Sequence, residues 1–431
     1  MFNPVTIGLL FVLLALVVYT ISNPGRLNFY NHFVWQAEAF LDGRAAITYP
    51  VRDGPFVNAY FNDVMPHPEL PGFGLIPFPP LPALLLLPFV AVFGLATDAA
   101  LFAVALGAIN VGLCWWVLDM LSHRRGAAAL ATLFFAFGTV HWYAAMLGST
   151  WFLAHVVALF FLLLAIGVAI GAERRDRLRP RPTFAALRHA PGLIDWRQFG
   201  AGLLFGLAGA ARLPVLLGAP FFMLVGGGGS FWRRSVSAGL GAFIPFGLLL
   251  IYNFATTGHL LHPAYEWLYQ HEYLPAPELI NRDWAIEDPR YIPQNALLML
   301  AWPPVVQPEC GFELLARECA LVRPDQLGMS LLLTSPAYLL ALPIVIADWR
   351  RRLVAGAALA VLAIAVFNLM HFSQGWVQFG YRFSNDFAPF AVLLVALGIA
   401  RVGVNWLTVA LVAMAIVVNA WGVYWGVTLG W

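Results

Sequence analysis

Apolar runs near 5–21, 98–121, 127–147, 151–171, 199–211, 213–227, 236–252, 329–346, 354–370, 387–400 and 405–427 leave this chain one class of solution. Most approach the roughly 17–25 residues a helix needs to cross a bilayer, where only helices and closed barrels satisfy their backbone. With 61% hydrophobic and 11% charged residues over 431 positions, no single soluble core hides that surface. The sequence predicts an all-α polytopic membrane protein: one transmembrane domain over 1–431, about eleven spanning helices and no separate soluble domain. The first run lacks a basic stretch before it and a small-residue cleavage site before "SNPGR", so it reads as a retained anchor. The short runs 199–211 and 213–227 flank Arg212-Leu213-Pro214 and read as tilted or broken helices.

All 24 basic residues are arginines, spread among loops rather than gathered in one patch, so the net charge of +2 gives no footprint for nucleic acid. Fifteen of them fall at 123–125, 173–197, 231–235, 348–352 and Arg401, which marks those loops, including the solvated linker 172–198, as cytoplasmic. By alternation the turn at 148–150, the long loop 253–328 and the loop 371–386 lie on the other side.

The placement of the first loop, 22–97, turns on "PFPPLPALLLLPF". If 76–95 crosses, Met1 is outside and the loop is cytoplasmic; if not, the loop faces out. Arg26 after the first run favours a crossing. Pro77, Pro79, Pro80 and Pro82 oppose it, because they delay regular helix to Leu81. The roughly 14 residues left before Gly94 reach about 20 Å, short of the ~30 Å hydrocarbon core. A juxtamembrane or re-entrant helix is expected.

Several polar groups stand where chemistry is conceivable. "NFYNHFVWQAEAFLDGR" reads as an amphipathic helix closed by Gly43, with Asn31, Trp35, Glu38 and Asp42 on its wet face. Asp63, His67 and Glu69 follow in a proline-rich loop; a solvated loop explains them, and so does a base or a divalent-cation ligand set for Mg or Mn. "HFSQGWVQFGYRFSNDF" places Gln378, Tyr381, Arg382, Asn385 and Asp386 at the mouth of an apolar run, with Arg382 and Asp386 spaced for an ion pair. Yet Arg382 and Arg212 fall on the arginine-poor side, where sidedness does not account for them. An arginine there is suited to grip a phosphate group. His141, Trp142, Tyr143 and Trp151 read as an interfacial belt, while His155 is expected to face the bundle interior. Cys310 and Cys319, in one loop, either pair in an oxidising compartment or remain two thiols.

In order along the chain, "AEAFLDGR", "PFPPLPALLLLPF", the "RxP" break at Arg212 and "QFGYRFSND" resemble the GT-C membrane glycosyltransferases, nearest to the protein O-mannosyltransferase and lipid A aminoarabinose transferase branch. The resemblance implies a GT-C fold with juxtamembrane helices in an extracytoplasmic first loop, in a bacterial cytoplasmic (inner) membrane. It implies inverting transfer of a sugar from a polyprenyl-phosphate donor to a protein, lipid or glycan acceptor, with membrane lipid around the site. The family's first-loop acid stands just after the first helix, where this chain has Asn28 or Asn31, neither able to act as a base. The role then passes to Asp63 or Glu38, or transfer is lost and only lipid binding remains. Arg382 would hold the phosphate, with Arg212 and Tyr381 beside it. His67, Glu69, His155, Gln378, Asp386 and Asn31 would shape the acceptor side or hold a cation. A secondary transporter and a lipid-linked-sugar binder or flippase accessory are the rival readings.

Overall fold

The computed structural model describes residues 3–25, 30–48, 63–121, 124–178, 193–271, 281–375 and 377–431. It is mostly helical, with helices in the order α1 Pro4–Ser22, α2 His32–Leu41, α3 Leu81–Phe93, α4 Ala99–Leu121, α5 Arg125–Phe137, α6 His141–Leu147, α7 Thr150–Leu178, α8 Trp196–Ala211, α9 Ala219–Leu224 and α10 Phe231–Thr257. After it come α11 Ala264–His271, α12 Ile292–Ala301, α13 Leu331–Thr334, α14 Leu342–Asp348, α15 Arg352–Met370, α16 Ser384–Val402 and α17 Trp406–Leu429. Among the described residues α1, α4, α7, α10, α15, α16 and α17 are the seven helices long and apolar enough to cross a membrane. The α5–α6 pair, bent by 48°, makes an eighth if it is one span, and Leu81–Ala96, Leu213–Leu224 and Pro336–Asp348 are shorter apolar helices. The bend follows from Thr139, whose hydroxyl donates back to the Phe135 carbonyl at 2.8 Å beside Gly138.

Side-chain contacts sort the helix ends into two poles. At one, Arg352 Nη2 donates to Glu173 Oε1 at 3.0 Å, Arg174 to the Met120 carbonyl at 3.0 Å and Arg124 to the Ala400 carbonyl at 2.5 Å. The same pole gathers Gly226 N–H on Glu173 and Gly228 N–H on Asp176, so the four-glycine turn 226–229 is held by carboxylates at the foot of α7. At the other pole, Asn23 Nδ2 donates to the Met146 carbonyl at 3.0 Å, and Gly148 packs on the backbone of Ala99 and Ala100. Asn23 follows α1 and Ala99 opens α4, and both meet the α6–α7 turn. The chain therefore leaves the bundle after Asn23 and re-enters it at Ala99 at one pole. Thirteen residues give α3 about 20 Å, and it lies along α2, α7 and α8.

α2 corrects the expected wet face. His32 to Ala37 and Ala39 are all buried, Trp35 packs with Ala39, Ile47, Val64 and Ile76, and α3 covers the helix. An interfacial helix needs one face in water, and here the apolar residues on both sides of the periodic stripe find partners. Beside it β1 Ile47–Thr48, β2 Met65–Pro66 and β3 Phe73–Leu75 form an antiparallel sheet in the order β1-β3-β2.

α8 and the 213–224 segment are broken at Arg212-Leu213-Pro214 and fold back as a hairpin. The Gln198 amide at the foot of α8 donates to the Phe222 and Val225 carbonyls, so the second arm returns antiparallel and Arg212 stands at the tip. Gly202 and Gly206 let α8 touch the α10 backbone: a Cβ on Gly202 would lie 2.0 Å from the Ala238 carbonyl oxygen. In the long loop, β4 Val305–Val306 pairs antiparallel with β5 Val322–Arg323, and the ribbon's outer end is closed by a Cys310–Cys319 disulfide.

Candidate functional site

The second pole brings Asp63, Arg212 and the Arg382–Asp386 segment together from three separate parts of the chain. The first turn of α16 supplies Asp386, fully buried, whose Oδ1 accepts from Arg212 Nε at 2.7 Å. His155 Nδ1, one turn into α7, lies 3.0 Å from the same oxygen, and Asn368 Nδ2 donates to Oδ2 at 3.1 Å. The expected Arg382–Asp386 pair is thus replaced. Helix begins at Ser384, so Arg382 lies outside it and the i, i+4 spacing does not bring the two side chains together.

Arg382 turns instead to aromatic rings. Its guanidinium carbon sits 5.3 Å from the Phe383 centroid, 5.8 Å from Trp151 and 5.9 Å from Phe152. Arg212 stands 5.0 Å from the Phe383 ring as well, so one ring carries both guanidinium groups. The loop before Arg382 is built around it: Gly375, at φ +94°, would place a Cβ only 2.7 Å from the Arg382 Cζ and Nε.

Asp63 enters from the first loop. Its Oδ2 accepts the Trp151 indole N–H at 2.6 Å, and its backbone is left-handed at φ 66°, a region Asp visits more readily than most residues. Burial of its carboxyl end holds the pKa above the ordinary carboxylate value, opposed by the Trp151 hydrogen bond and by the charges of Arg382 and His371. Tyr265 on α11 stands in the field of Arg212, Glu287 and Asp63, and burial pushes its hydroxyl up to about 12.

The remaining sequence candidates divide. Tyr381 is buried and donates to Gln374 Oε1 at 2.7 Å, while Gln374 Nε2 donates to the Asn368 carbonyl, so it braces the Asp386 neighbourhood. Gln378 donates to the Leu327 and Gln374 carbonyls and ties the loop to the long loop. Glu38 lies apart: burial raises its pKa, and the charges acting on it are Asp42 and Arg44. His67 Nδ1 accepts the Glu69 and Leu70 N–H groups, which closes a turn. Among the described residues no three His, Cys, Asp or Glu converge as a metal-ion set. Asn31 caps α2, and its Oδ1 is buried without a hydrogen-bond partner among the described residues. Asn28 lies outside the described residues.

Sequence reading missed Trp151 as a site residue, and with it Phe383, His371 and Glu287. His371 Nδ1 lies 3.1 Å from Glu287 Oε1, and backbone hydrogen bonds join 286–288 to 370–372, so the long loop is strapped to the end of α15 beside the site. The only signal was type and place: polar residues ending an apolar run on the arginine-poor side.

The chain matches no known protein family, and neither a curated protein nor a solved structure matches it. The site offers a carboxylate with a raised pKa, two arginines on one aromatic ring and an internal carboxylate neutralising one of them.

Proposed function

We propose that the chain is an inverting GT-C-type glycosyltransferase that moves a sugar from a polyprenyl-phosphate donor to a protein, lipid or glycan acceptor. The observation that carries this reading is Asp63: a carboxylate with an elevated pKa, held by Trp151, within the electrostatic reach of Arg382 at the end of an apolar helix bundle. Asp63 takes the acceptor's O–H or N–H proton as its oxygen or nitrogen attacks the anomeric carbon. The bond from that carbon to the phosphate oxygen breaks on the opposite face. The polyprenyl phosphate leaves with its new charge offset by Arg382, and Arg212 is held in position by Asp386. Of the two candidate bases Glu38 is set aside, because its charged neighbours are Asp42 and Arg44 rather than an arginine of the site.

The arginine pole is then cytoplasmic and the site pole extracytoplasmic, which also puts the Cys310–Cys319 disulfide in an oxidising compartment. Eleven crossings result when the α5–α6 pair, α8, Leu213–Leu224 and Pro336–Asp348 are added to the seven long helices, with Leu81–Ala96 kept to the outer face. A bacterial cytoplasmic (inner) membrane suits this arrangement.

The test is transfer by the purified chain from a panel of radiolabelled polyprenyl-phosphate sugars, for the parent and for Asp63→Asn. Turnover that disappears in the variant while donor binding persists supports the enzyme. Donor binding without turnover in either protein makes the chain a lipid-linked-sugar binder or flippase accessory. Movement of a water-soluble solute without lipid-linked sugar makes it a transporter.

A further inference from the structure

Away from the site, the tip of the β4–β5 ribbon is bare of cover. Between the two disulfide-bonded cysteines runs "GFELLARE", with Phe312 95% exposed, Leu314 55% and Leu315 53%. Three large apolar side chains so close together, on a loop whose opening is closed covalently, do not arise from a need to fill a core. Their position identifies what covers them. The Leu315 carbonyl accepts the Tyr424 hydroxyl at 2.6 Å. Tyr424 belongs to α17, one of the long apolar helices, and lies five residues before its end at Leu429, about 8 Å down the axis at ~1.5 Å per residue. The outward face of that helix is apolar along its length, with Met414 49% and Val417 67% exposed. The tip is therefore fastened below the end of a lipid-facing helix, not above it.

We infer that the Cys310–Cys319 loop is a bilayer contact which seats Phe312, Leu314 and Leu315 in the headgroup–acyl boundary of the leaflet on the site's pole. The local charges identify the kind of surface. Glu309, Glu313 and Glu318 against Arg317 leave the tip net acidic, so an anionic, polybasic-type attraction is excluded and apolar insertion carries the contact. The tip would steady the long loop, and through β4 and α12 the strap at Glu287 and His371, against the membrane plane. The inference uses neither Asp63 nor Arg382, so it stands or falls separately from the transfer reading.

The experiment reconstitutes the full chain in phosphatidylcholine nanodiscs that carry a diazirine on an acyl chain, photolyses them and maps the adducts by mass spectrometry. Adducts on the Phe312–Leu315 peptide at a level like that of the Val417 peptide are expected. They should fall to the level of the water-exposed segment 281–283 in Phe312→Ser/Leu315→Ser, and replacing half the lipid with phosphatidylglycerol should not raise them. A tip without adducts in the unsubstituted chain, while Val417 is labelled, overturns the proposal whether or not the variant folds. Free modification of that tip by a water-soluble carbene reagent would then mark it as a face for a protein partner.

Discussion

Trp151 donates its indole N–H to Asp63 at 2.6 Å while the Arg382 guanidinium carbon lies 5.8 Å from the same ring. One side chain thus fixes the proposed base and flanks the proposed phosphate ligand. Asp63→Asn keeps an acceptor for the indole but cannot take a proton. Transfer should fall about 10²–10⁴-fold, the range ascribed to a positioned base, with donor KM little changed. Trp151→Phe should cost less, because the base remains and only its orientation is loosened. Steady-state kinetics of both variants check this, and an Asp63→Asn enzyme with parental kcat would remove Asp63 from the reaction.

The direction of the Asp63 pKa gives a second readout that needs no substrate. Burial raises it in the folded chain, so the folded state binds that proton more tightly than the unfolded state does. The resulting stability is fully present below the unfolded value of about 3.9 and is lost as pH rises through the folded pKa. Asp63→Asn removes this penalty and should raise Tm relative to the parent at neutral pH, with the gap narrowing toward acid. Thermal unfolding in detergent at several pH values measures it. A parent that stays the more stable of the two at neutral pH would contradict the assignment.

Gly375 positions Arg382. A methyl group there meets the guanidinium 2.7 Å away and sits at φ +94°, where an L side chain is strained. Gly375→Ala should therefore lower transfer by up to about 10²-fold, as a displacement near 1 Å can. Gly258→Ala is the control: its φ is +74° but nothing lies within 4 Å of the added atom, so it carries strain without displacing Arg382. Equal activity losses in the two variants would reduce Gly375 to a backbone effect.

Asp386 is the hub for Arg212, His155 and Asn368. Asp386→Ala leaves a partly buried guanidinium without its carboxylate and should cost about 3–5 kcal/mol, the scale for breaking a buried pair. Arg212→Met/Asp386→Leu removes both charges and should be less destabilising than Asp386→Ala alone, since no uncompensated ion remains. Chemical denaturation of the parent, both single variants Arg212→Met and Asp386→Leu, the double variant and Asp386→Ala tests the ordering, and additive effects of the two single variants would show that the residues do not couple.

What the sequence made legible follows the range of each interaction. Proline spacing at 77–82 was enough to delay regular helix to Leu81, where α3 begins, because that argument is local. Asp63 and Arg382 stood out by type and side. The Asp386 partner did not: 174 residues separate it from Arg212, and the nearby Arg382 offered a plausible local pair that the start of α16 forbids. Trp151 looked like a belt residue, since a tryptophan ending an apolar run carries the same signal whether it faces lipid or a carboxylate. The stripe on α2 failed for a related reason: periodicity reports which residues share a face, not whether another helix covers it.

Orientation can be read from the cysteines. Cys310 and Cys319 are disulfide-bonded and Cys114 is buried, so the parent chain offers no accessible thiol. Cys310→Ser frees Cys319 at the exposed end of the ribbon, on the pole that holds Asp63 and Arg382. A membrane-impermeant maleimide should label that variant in intact cells and leave the parent unlabelled until reductant is added. Opening so short a loop should cost only about 2–3 kcal/mol in the chain-entropy estimate, so the bundle is expected to stay folded. Labelling only after permeabilisation would put the site pole inside the cell and the arginine pole outside. The proposed transfer would then have to draw on a donor in the cytoplasmic leaflet, and the disulfide would have to survive in a reducing compartment.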